Sequence, residues 1–293
     1  IVFGAEADGV PRRAAGRRAD EMPRAFEARH PGVGVAVAAE EARAPADGHT
    51  LLVATTALAA NPILFKDIPY DARKDFTPIS LVGLVPMVLV VPPSSPATTI
   101  AELMALARSK PGELNYGSGG PGGSNHLGAI LFNYLAGVDI VRIPYKGSGP
   151  AMAALMSGEV QVMFPGAGAA TSHIRSGRLR ALAVGSAEPS VLAPGVPTLS
   201  ASGVPGYVSE AIHALLAPAR TPPAIVARLN QEVRRYLETA ETKEVFLKVG
   251  IETAASTPEA LTALMKSEMA TIGKVLKAAG AGSKFSTSTK CSP

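Results

Sequence analysis

The sequence predicts an α/β protein in which short strands alternate with longer helices. Apolar runs rich in β-branched residues predict strands at "HTLLVATTA", "PMVLVVPP", "IVRIPY", "VQVMF", "LRALAVGS" and "AIHALLAPA". Amphipathic stretches lie between them, and 293 residues are enough for two domains. Because alternating elements of these lengths favour parallel pairing, we expect mostly parallel sheets with helices on both faces.

Helix boundaries are marked by capping residues. In "TIAELMALARSKPG", Thr99 is a candidate N-cap, Glu102 stands three residues later, and Gly112 follows the end. Similar signals predict helices at "GSGPAMAALMSGEV", "TPPAIVARLNQEVRRYLETAETKEVFLKVG" and "TPEALTALMKSEMATIGKVLKAAG". The run "ISLVGLVPMVLVVPP" is interrupted by Pro86 and is shorter than a membrane-spanning helix requires, so it predicts two buried strands.

Composition narrows the function classes. The net charge is only +4, and the basic runs "RRAAGRR" and "RLNQEVRR" lack interleaved aromatic residues, so no nucleic-acid partner is expected. Cys291 is the only cysteine and the histidines stand singly, which predicts no disulfide framework, metal site or cofactor. No signal peptide opens the chain at Ile1, as in a processed secreted protein. The polar tail after Gly282 is expected to be disordered.

The stretch "LNYGSGGPGGSNHLGAILFNYLAG" predicts an anion site. It places five glycines and a proline within seven residues, and glycines let consecutive backbone N–H groups converge on one point. Ser124, Asn125 and His126 follow as the first turn of a helix, whose N-terminus favours negative charge. His126 is either a helix-start residue that bonds a nearby carbonyl or a ligand contact.

Other polar residues are expected near this stretch. In open parallel sheets, ligands bind beyond the carboxyl ends of the strands. The loops after "LLVATT", "LNYGSG" and "VQVMFP" lie at such ends, which brings Thr55, Thr56 and Ser118 into the candidate site. A second anion loop, Gly147–Gly149, opens a helix after "IVRIPY", although a simple strand-to-helix turn explains it equally well.

Two nucleotide-binding motifs fail on context. Gly117, Gly119 and Gly122 satisfy G-x-G-x-x-G, but Asp139 precedes the next strand instead of ending it, so the ribose has no acidic partner. A phosphate-binding P-loop also fails, because no lysine follows the glycines.

A serine hydrolase remains the rival class. Ser118 or Ser124 would be its nucleophile. However, Ser124 and His126 are about 200° apart around a helix, and no G-x-S-x-G elbow surrounds the serine.

Linked motifs from Pro45 to Gly280 resemble one family throughout. They include "PADGHTLLVATTALAANP", "PYDARKDFTPISLV", "VDIVRIPYKGSGPAMAALMSGEVQVMF", "GVPTLSASGVPGY" and "ALLAPARTPPAIVARLNQEV". The chain is identified as similar to the Bug or TctC-type periplasmic solute receptors of tripartite tricarboxylate transporters. This resemblance implies a type II periplasmic binding protein fold, with lobe one formed by residues 1–95 and 213–293 and lobe two by residues 96–212.

The resemblance also implies a function. Such a receptor is a periplasmic protein that performs no catalysis, binds a small organic carboxylate between its lobes, and delivers it to membrane subunits of the transporter. We expect a monomer. A ligand-sensing module that signals to a partner protein shares the fold and remains an alternative.

Two departures from the family concern the ligand site. The N-terminal loop has Glu6 and Asp8 between its glycines, and the stretch before Pro45 is about ten residues shorter than in the family. Either lobe one lacks a strand or "VGVAVAA" substitutes for it, which affects the lobe-one half of the site. Receptors for amino acids commonly carry an aspartate after the "MF" strand, whereas Pro165 follows Phe164 here. The resemblance therefore implies a plain mono- or dicarboxylate.

The predicted ligand-binding set combines both lobes. Because no Arg or Lys lies in these loops, backbone and hydroxyl dipoles are expected to meet the ligand charge. The set consists of Thr55, Thr56, Ser118, Gly119, Gly122, Gly123, Ser124, His126, Phe164 and Pro165.

Overall fold

The computed structural model describes residues 33–65 and 68–278. Its helices are α1 (Val33–Glu41), α2 (Thr56–Leu64), α3 (Ile100–Ser109), α4 (Ser124–Ala136), α5 (Ser148–Met156), α6 (Ala167–Arg175), α7 (Pro223–Leu237), α8 (Ala240–Lys248) and α9 (Pro258–Ala278). Its strands are β1 (Leu52–Thr55), β2 (Phe76–Pro86), β3 (Val88–Val91), β4 (Asn115–Ser118), β5 (Val141–Pro144), β6 (Val162–Met163), β7 (Arg180–Val184), β8 (Glu210–Pro218) and β9 (Glu252–Thr253). The N-terminal loop and the polar tail lie outside the described residues. The stretch "VGVAVAA" belongs to α1, so it is a helix and does not substitute for a strand.

The strands form two sheets, which confirms the α/β class. The first sheet has the order β1-β8-β2-β9 and the second has the order β5-β4-β6-β3-β7. In the second sheet, β4 is parallel to β5 and β6, while β3 runs antiparallel to β6 and β7, so four strands point the same way.

The first sheet differs from the expected parallel pairing. Its described strands alternate in direction, with β8 antiparallel to both β1 and β2 and β9 antiparallel to β2. The reason is topological, since the chain leaves this sheet through β2 and returns to it through β8. Short-range sequence patterns identify strands but do not fix the direction of a neighbour that is distant in sequence.

The chain crosses between the two sheets twice, and the two crossing segments are hydrogen-bonded to each other. Met87, between β2 and β3, donates its N–H to the Ser209 carbonyl at 3.2 Å, and Ser209 donates to the Gly185 carbonyl at 2.8 Å. Gly185 in turn donates to the Met87 carbonyl at 2.6 Å. The chain therefore passes from the first sheet to the second at Met87 and returns to the first sheet just after Ser209. The lobe boundaries at 95/96 and 212/213 remain a prediction.

The second sheet carries helices on both faces, as expected. Its strand β3 is completely buried and its side chains alternate between two hydrophobic clusters. Leu89 and Val91 pack with residues of α3 and α4, whereas Val88 and Val90 pack with residues of α5 and α6. A strand buried on both faces explains why "MVLVV" is continuously apolar.

The helix signals behave as local physics predicts, with one exception. Thr99 Oγ1 accepts the Glu102 N–H and the Glu102 carboxylate accepts the Thr99 N–H, each at 3.2 Å, which confirms the capping box of α3. The long stretch after Thr221 is interrupted, because Thr239 caps a new helix by accepting the Thr242 N–H at 3.2 Å. A capping threonine inside the stretch was the overlooked signal.

A buried aromatic group joins α4 to the crossing. Phe132 lies 5.7 Å from Phe164 and 6.5 Å from Tyr207 between ring centroids, and the Tyr207 hydroxyl donates to the Gly128 carbonyl at 3.0 Å. A Cβ atom on Gly128 would lie 2.8 Å from Ser209 Oγ. Helix α4 therefore packs against the crossing with no space for a side chain.

Gly128→Val should lower the free energy of unfolding by about 2 kcal/mol, because overpacking forces α4 away from its neighbours. Chemical denaturation measures the loss. Gly149→Val is the matched control, since nothing lies within 4 Å of a Cβ at that helical position. Equal stability of the two variants would contradict the tight packing of α4.

Candidate functional site

The glycine loop, residues 119–123, connects β4 to α4. Because β4 and β5 are parallel, the loop that follows each strand lies at the same edge of the second sheet. A Cβ atom on Gly119 would lie 3.3 Å from the Cα of Gly147, and Asn125 Nδ2 donates to Ser148 Oγ at 3.2 Å. The two anion loops recognised separately in the sequence thus form one surface, where the N-termini of α4 and α5 meet.

The glycine loop also contacts helix α2, which follows strand β1 of the first sheet. Gly122 has a φ of +79°, and a Cβ there would lie 2.8 Å from Leu64 Cδ1 at the end of α2. Gly123 is different, because its φ of −67° and ψ of 152° suit any residue. The backbone conformation at position 122 therefore requires glycine. The backbone conformation at position 123 does not, so other residues can adopt it.

His126 holds the glycine loop from inside. Its side chain is buried, and its Nδ1 accepts the Gly122 N–H at 3.2 Å. Burial, and secondarily the charge of Arg142, lowers the pKa of His126 to about 4, so the ring is neutral at pH 7. The histidine bonds a backbone N–H and not the expected carbonyl, and this bond occupies one N–H that the sequence analysis assigned to a ligand.

Arg142 is the principal residue that the sequence analysis missed. It lies on β5 opposite Tyr116 of β4, and its guanidinium reaches the residues where β4 meets the glycine loop. Its Nε donates to Ser118 Oγ at 2.7 Å and its Nη2 donates to the Gly119 carbonyl at 2.6 Å. A half-buried cation therefore stands beside the loop, in addition to the backbone and hydroxyl dipoles that the sequence predicts for the site.

The serine side chains differ in their availability. Ser118 is fully buried, its Oγ accepts from Arg142, and its own hydroxyl lies 3.4 Å from the Gly119 carbonyl. Ser124 begins α4, and its backbone N–H has no hydrogen-bond partner among the described residues. Since His126 Nδ1 already accepts from Gly122, these contacts do not assemble a serine with a histidine base.

Thr56 approaches Ser124 from the first sheet. It begins α2, and its Oγ1 accepts the Ile212 N–H at 3.0 Å. Thr56 and Ser124 line one pocket, together with Ser209, Glu210 and Glu268 at and near the second crossing segment. Thr55 precedes Thr56 at the end of β1, with an exposed side chain that makes no capping bond.

Two glutamates in this pocket were not foreseen. Burial raises the pKa of Glu210, and the nearby charges of Glu252 and Glu268 raise it further. Burial also raises the pKa of Glu268. Both carboxyl groups are distant in sequence from Thr56 and Ser124, so only the fold reveals that they share a pocket.

Phe164 and Pro165 do not join this surface through their side chains. Phe164 is 1% exposed within the aromatic group around Phe132, and Pro165 is buried with its carbonyl accepting the Val88 N–H at 2.8 Å. The structure therefore brings Thr56 and Ser124 to one pocket, with Gly119 and Gly123 in the adjoining glycine loop, and places the Phe164 ring in the core.

Other kinds of site find no support in the described part of the chain. Residues 33–65 and 68–278 contain no group of three or more side chains suited to bind a metal. No helix in these ranges is both long and apolar enough to cross a membrane.

Comparison with known proteins gives the family. A family model described as the tripartite tricarboxylate transporter family receptor matches residues 25–281. The chain belongs to this receptor family. Members of the receptor family are periplasmic solute-binding proteins and not enzymes, which confirms the fold and the absence of catalysis expected from the resemblance.

Several members of the receptor family resemble the chain over most of its length. Protein BugT of Bordetella pertussis is 36% identical over 82% of this chain and 74% of its own. The solved structure of R. palustris Rpa4515 with adipate is 34% identical, covers 84% of this chain and 83% of that chain, and has a TM-score of 0.75. MatC from Rhodopseudomonas palustris with bound malate is 31% identical, covers 84% and 85%, and has a TM-score of 0.69.

Proposed function

We propose that this receptor binds a small organic mono- or dicarboxylate between its two sheets and delivers it, in the periplasm, to membrane subunits of a tripartite tricarboxylate-type transporter. The observation that carries the proposal is the surface formed by the glycine loop and the first turns of α4 and α5. The adipate and malate complexes of related receptors support the same ligand class.

The surface suits a carboxylate for physical reasons. The N–H groups of Ser124 and Asn125 have no backbone acceptor among the described residues, and they lie at the positive end of the α4 dipole. The Ser124 hydroxyl adds a donor. Each charge-assisted hydrogen bond to the ligand contributes about 1.5–3 kcal/mol, so two or three of them account for useful affinity.

A panel of ligands tests this function. Adipate, malate, succinate and acetate are compared with aspartate and glutamate by thermal shift, followed by calorimetry. A ligand at a hundredfold excess over its Kd stabilises the folded protein by about 2.7 kcal/mol, which shifts the melting temperature by several degrees. Stabilisation by amino acids alone would contradict a plain carboxylate ligand, and hydrolysis of an ester panel that Ser124→Ala abolishes would contradict the receptor function.

Delivery distinguishes a transport receptor from a sensing module. Uptake of the labelled carboxylate by cells that carry the membrane subunits should require this protein. Binding without any effect on uptake would favour the sensing alternative. We further propose a monomer with the lobe boundaries given above, which light scattering and limited proteolysis measure.

Glu210→Gln should tighten carboxylate binding about threefold to tenfold at pH 8. Glu210 shares its pocket with Thr56 and Ser124, and in its ionised form it repels an anion that enters there. Calorimetry measures the change, and Glu113→Gln, at an exposed residue of the second lobe, is the control. Unchanged affinity in Glu210→Gln would place the ligand away from this pocket.

A further inference from the structure

We propose that Arg142 is the positioning residue of the carboxylate site: its guanidinium fixes the start of the glycine loop and supplies a positive charge beside it. The ligand part of this inference rests on the proposed function. No Arg or Lys belongs to the loop itself, so the cation comes from the neighbouring strand.

The first support is the geometry of the two hydrogen bonds. Nε and Nη2 lie on one side of the planar guanidinium, and they bind a side-chain oxygen of Ser118 and the carbonyl oxygen of Gly119. Both acceptors belong to the junction where β4 ends and the loop begins. A planar fork that binds two consecutive residues fixes their relative orientation, which a lysine ammonium does less well.

The second support is the way in which the glycine loop is held at both ends. Arg142 binds residues at its start, and His126 accepts the Gly122 N–H near its end. The loop glycines supply no side-chain contacts of their own. The direction of the free N–H groups that follow at Ser124 and Asn125 therefore depends on these two tethers.

The third support is an unbalanced charge. Arg142 is half-buried, yet no Asp or Glu of the described ranges lies within ion-pair distance of it. Its near titratable neighbours are Tyr116 and His126, and both are neutral at pH 7 because burial disfavours their charged forms. A partly desolvated cation without a counter-ion stabilises an anion bound at the neighbouring loop.

Three variants of the full chain test the proposal. Arg142→Gln removes the charge, Arg142→Lys keeps the charge but loses the fork, and Arg108→Gln is the matched control. Arg108 also donates to a carbonyl, that of Ala136 at 2.7 Å, but at the opposite end of α4, about 18 Å along the axis from Ser124. Both glutamine variants change the net charge equally.

Affinity for adipate and malate is the first readout. We expect Arg142→Gln to weaken binding about tenfold or more, as is usual when a residue that orients ligand-binding groups is removed, and Arg142→Lys to recover part of the loss. Arg108→Gln should bind like the parent protein. Parent-like affinity in Arg142→Gln, or the same loss in Arg108→Gln, overturns the proposal.

Hydrogen exchange of the ligand-free protein is the second readout. Peptides that cover residues 118–126 should exchange faster in both Arg142 variants than in the parent protein, whereas Arg108→Gln should leave them unchanged. Unchanged exchange in both Arg142 variants overturns the positioning role. If the parent protein binds no carboxylate, the proposed function fails, and this readout still decides whether Arg142 holds the loop. Should Arg142→Gln not fold, Arg142→Lys carries both comparisons.

Discussion

Gly123→Val is expected to weaken carboxylate binding about a hundredfold or more, which corresponds to about 2.7 kcal/mol. Gly123 caps α4, and its backbone conformation is one that valine readily adopts. The added Cβ would lie 3.3 Å from Asn125 Oδ1 and 3.4 Å from the Gly120 carbonyl, and the two methyl groups would extend over the first turn of α4. The side chain therefore blocks the approach of an anion to the N–H groups of Ser124 and Asn125.

The matched control for this variant is Gly120→Val in the same loop. Gly120 is exposed, and nothing lies within 4 Å of a Cβ built there, so the same side chain extends into solvent. Calorimetry with adipate and malate compares the two, and circular dichroism confirms that both fold. If Gly123→Val binds these ligands as tightly as Gly120→Val, the anion site lies elsewhere on the protein.

The second large effect concerns stability in acid. The free energy of unfolding should fall by about 3 kcal/mol between pH 7 and pH 4 through His126 alone. The pKa of this histidine is about 4 in the folded protein, whereas an unfolded chain has the ordinary value of 6.5. Below pH 6.5 the unfolded state therefore binds a proton that the folded state does not, and stability declines until the pH passes the folded pKa near 4.

His126→Gln isolates this contribution. Glutamine keeps a side-chain acceptor for the Gly122 N–H but does not titrate, so its unfolding free energy should fall less steeply between pH 6.5 and pH 4. Glu210 and Glu268 contribute equally to the pH dependence of both proteins, so their contributions cancel when the two unfolding free energies are subtracted. His49→Gln, at an exposed position, should follow the parent profile. Parallel profiles for His126→Gln and the parent protein would show that His126 does not titrate below its ordinary pKa.

Local patterns predicted the elements of this fold well. Apolar runs identified most of the strands, although not β4 or β9, and Thr99 with Glu102 identified a capping box that the structure contains. These signals involve residues that are close in sequence, because the interactions that form a cap or a buried strand lie within one helical turn or one strand. The direction of β8 and the break at Thr239 were harder, because the first depends on a distant partner and the second on one capping hydroxyl inside a long amphipathic run.

The candidate site was predicted only in part, for a similar reason. The glycine loop is a continuous stretch, so its dense glycines and the start of α4 could be recognised from sequence. Arg142 comes from the neighbouring strand, and Glu210 and Glu268 come from β8 and α9, so strand pairing and helix packing bring them together. The position of Phe164 after β6 predicts a ligand contact. Side chains alternate between the two faces of a buried strand, however, and at Phe164 this directs the ring into the core.

The bonded crossings also bear on how fast a ligand leaves. Met87 and Ser209 are tied to each other and to Gly185, where a Cβ would lie 2.7 Å from the Ser209 carbonyl and 3.0 Å from the Met87 carbonyl. Because the two segments are bonded to each other, a rotation of one sheet against the other would have to bend both of them together. Under the proposed function, such a rotation would accompany ligand release, and the tight packing at Gly185 would then affect how long a carboxylate stays bound.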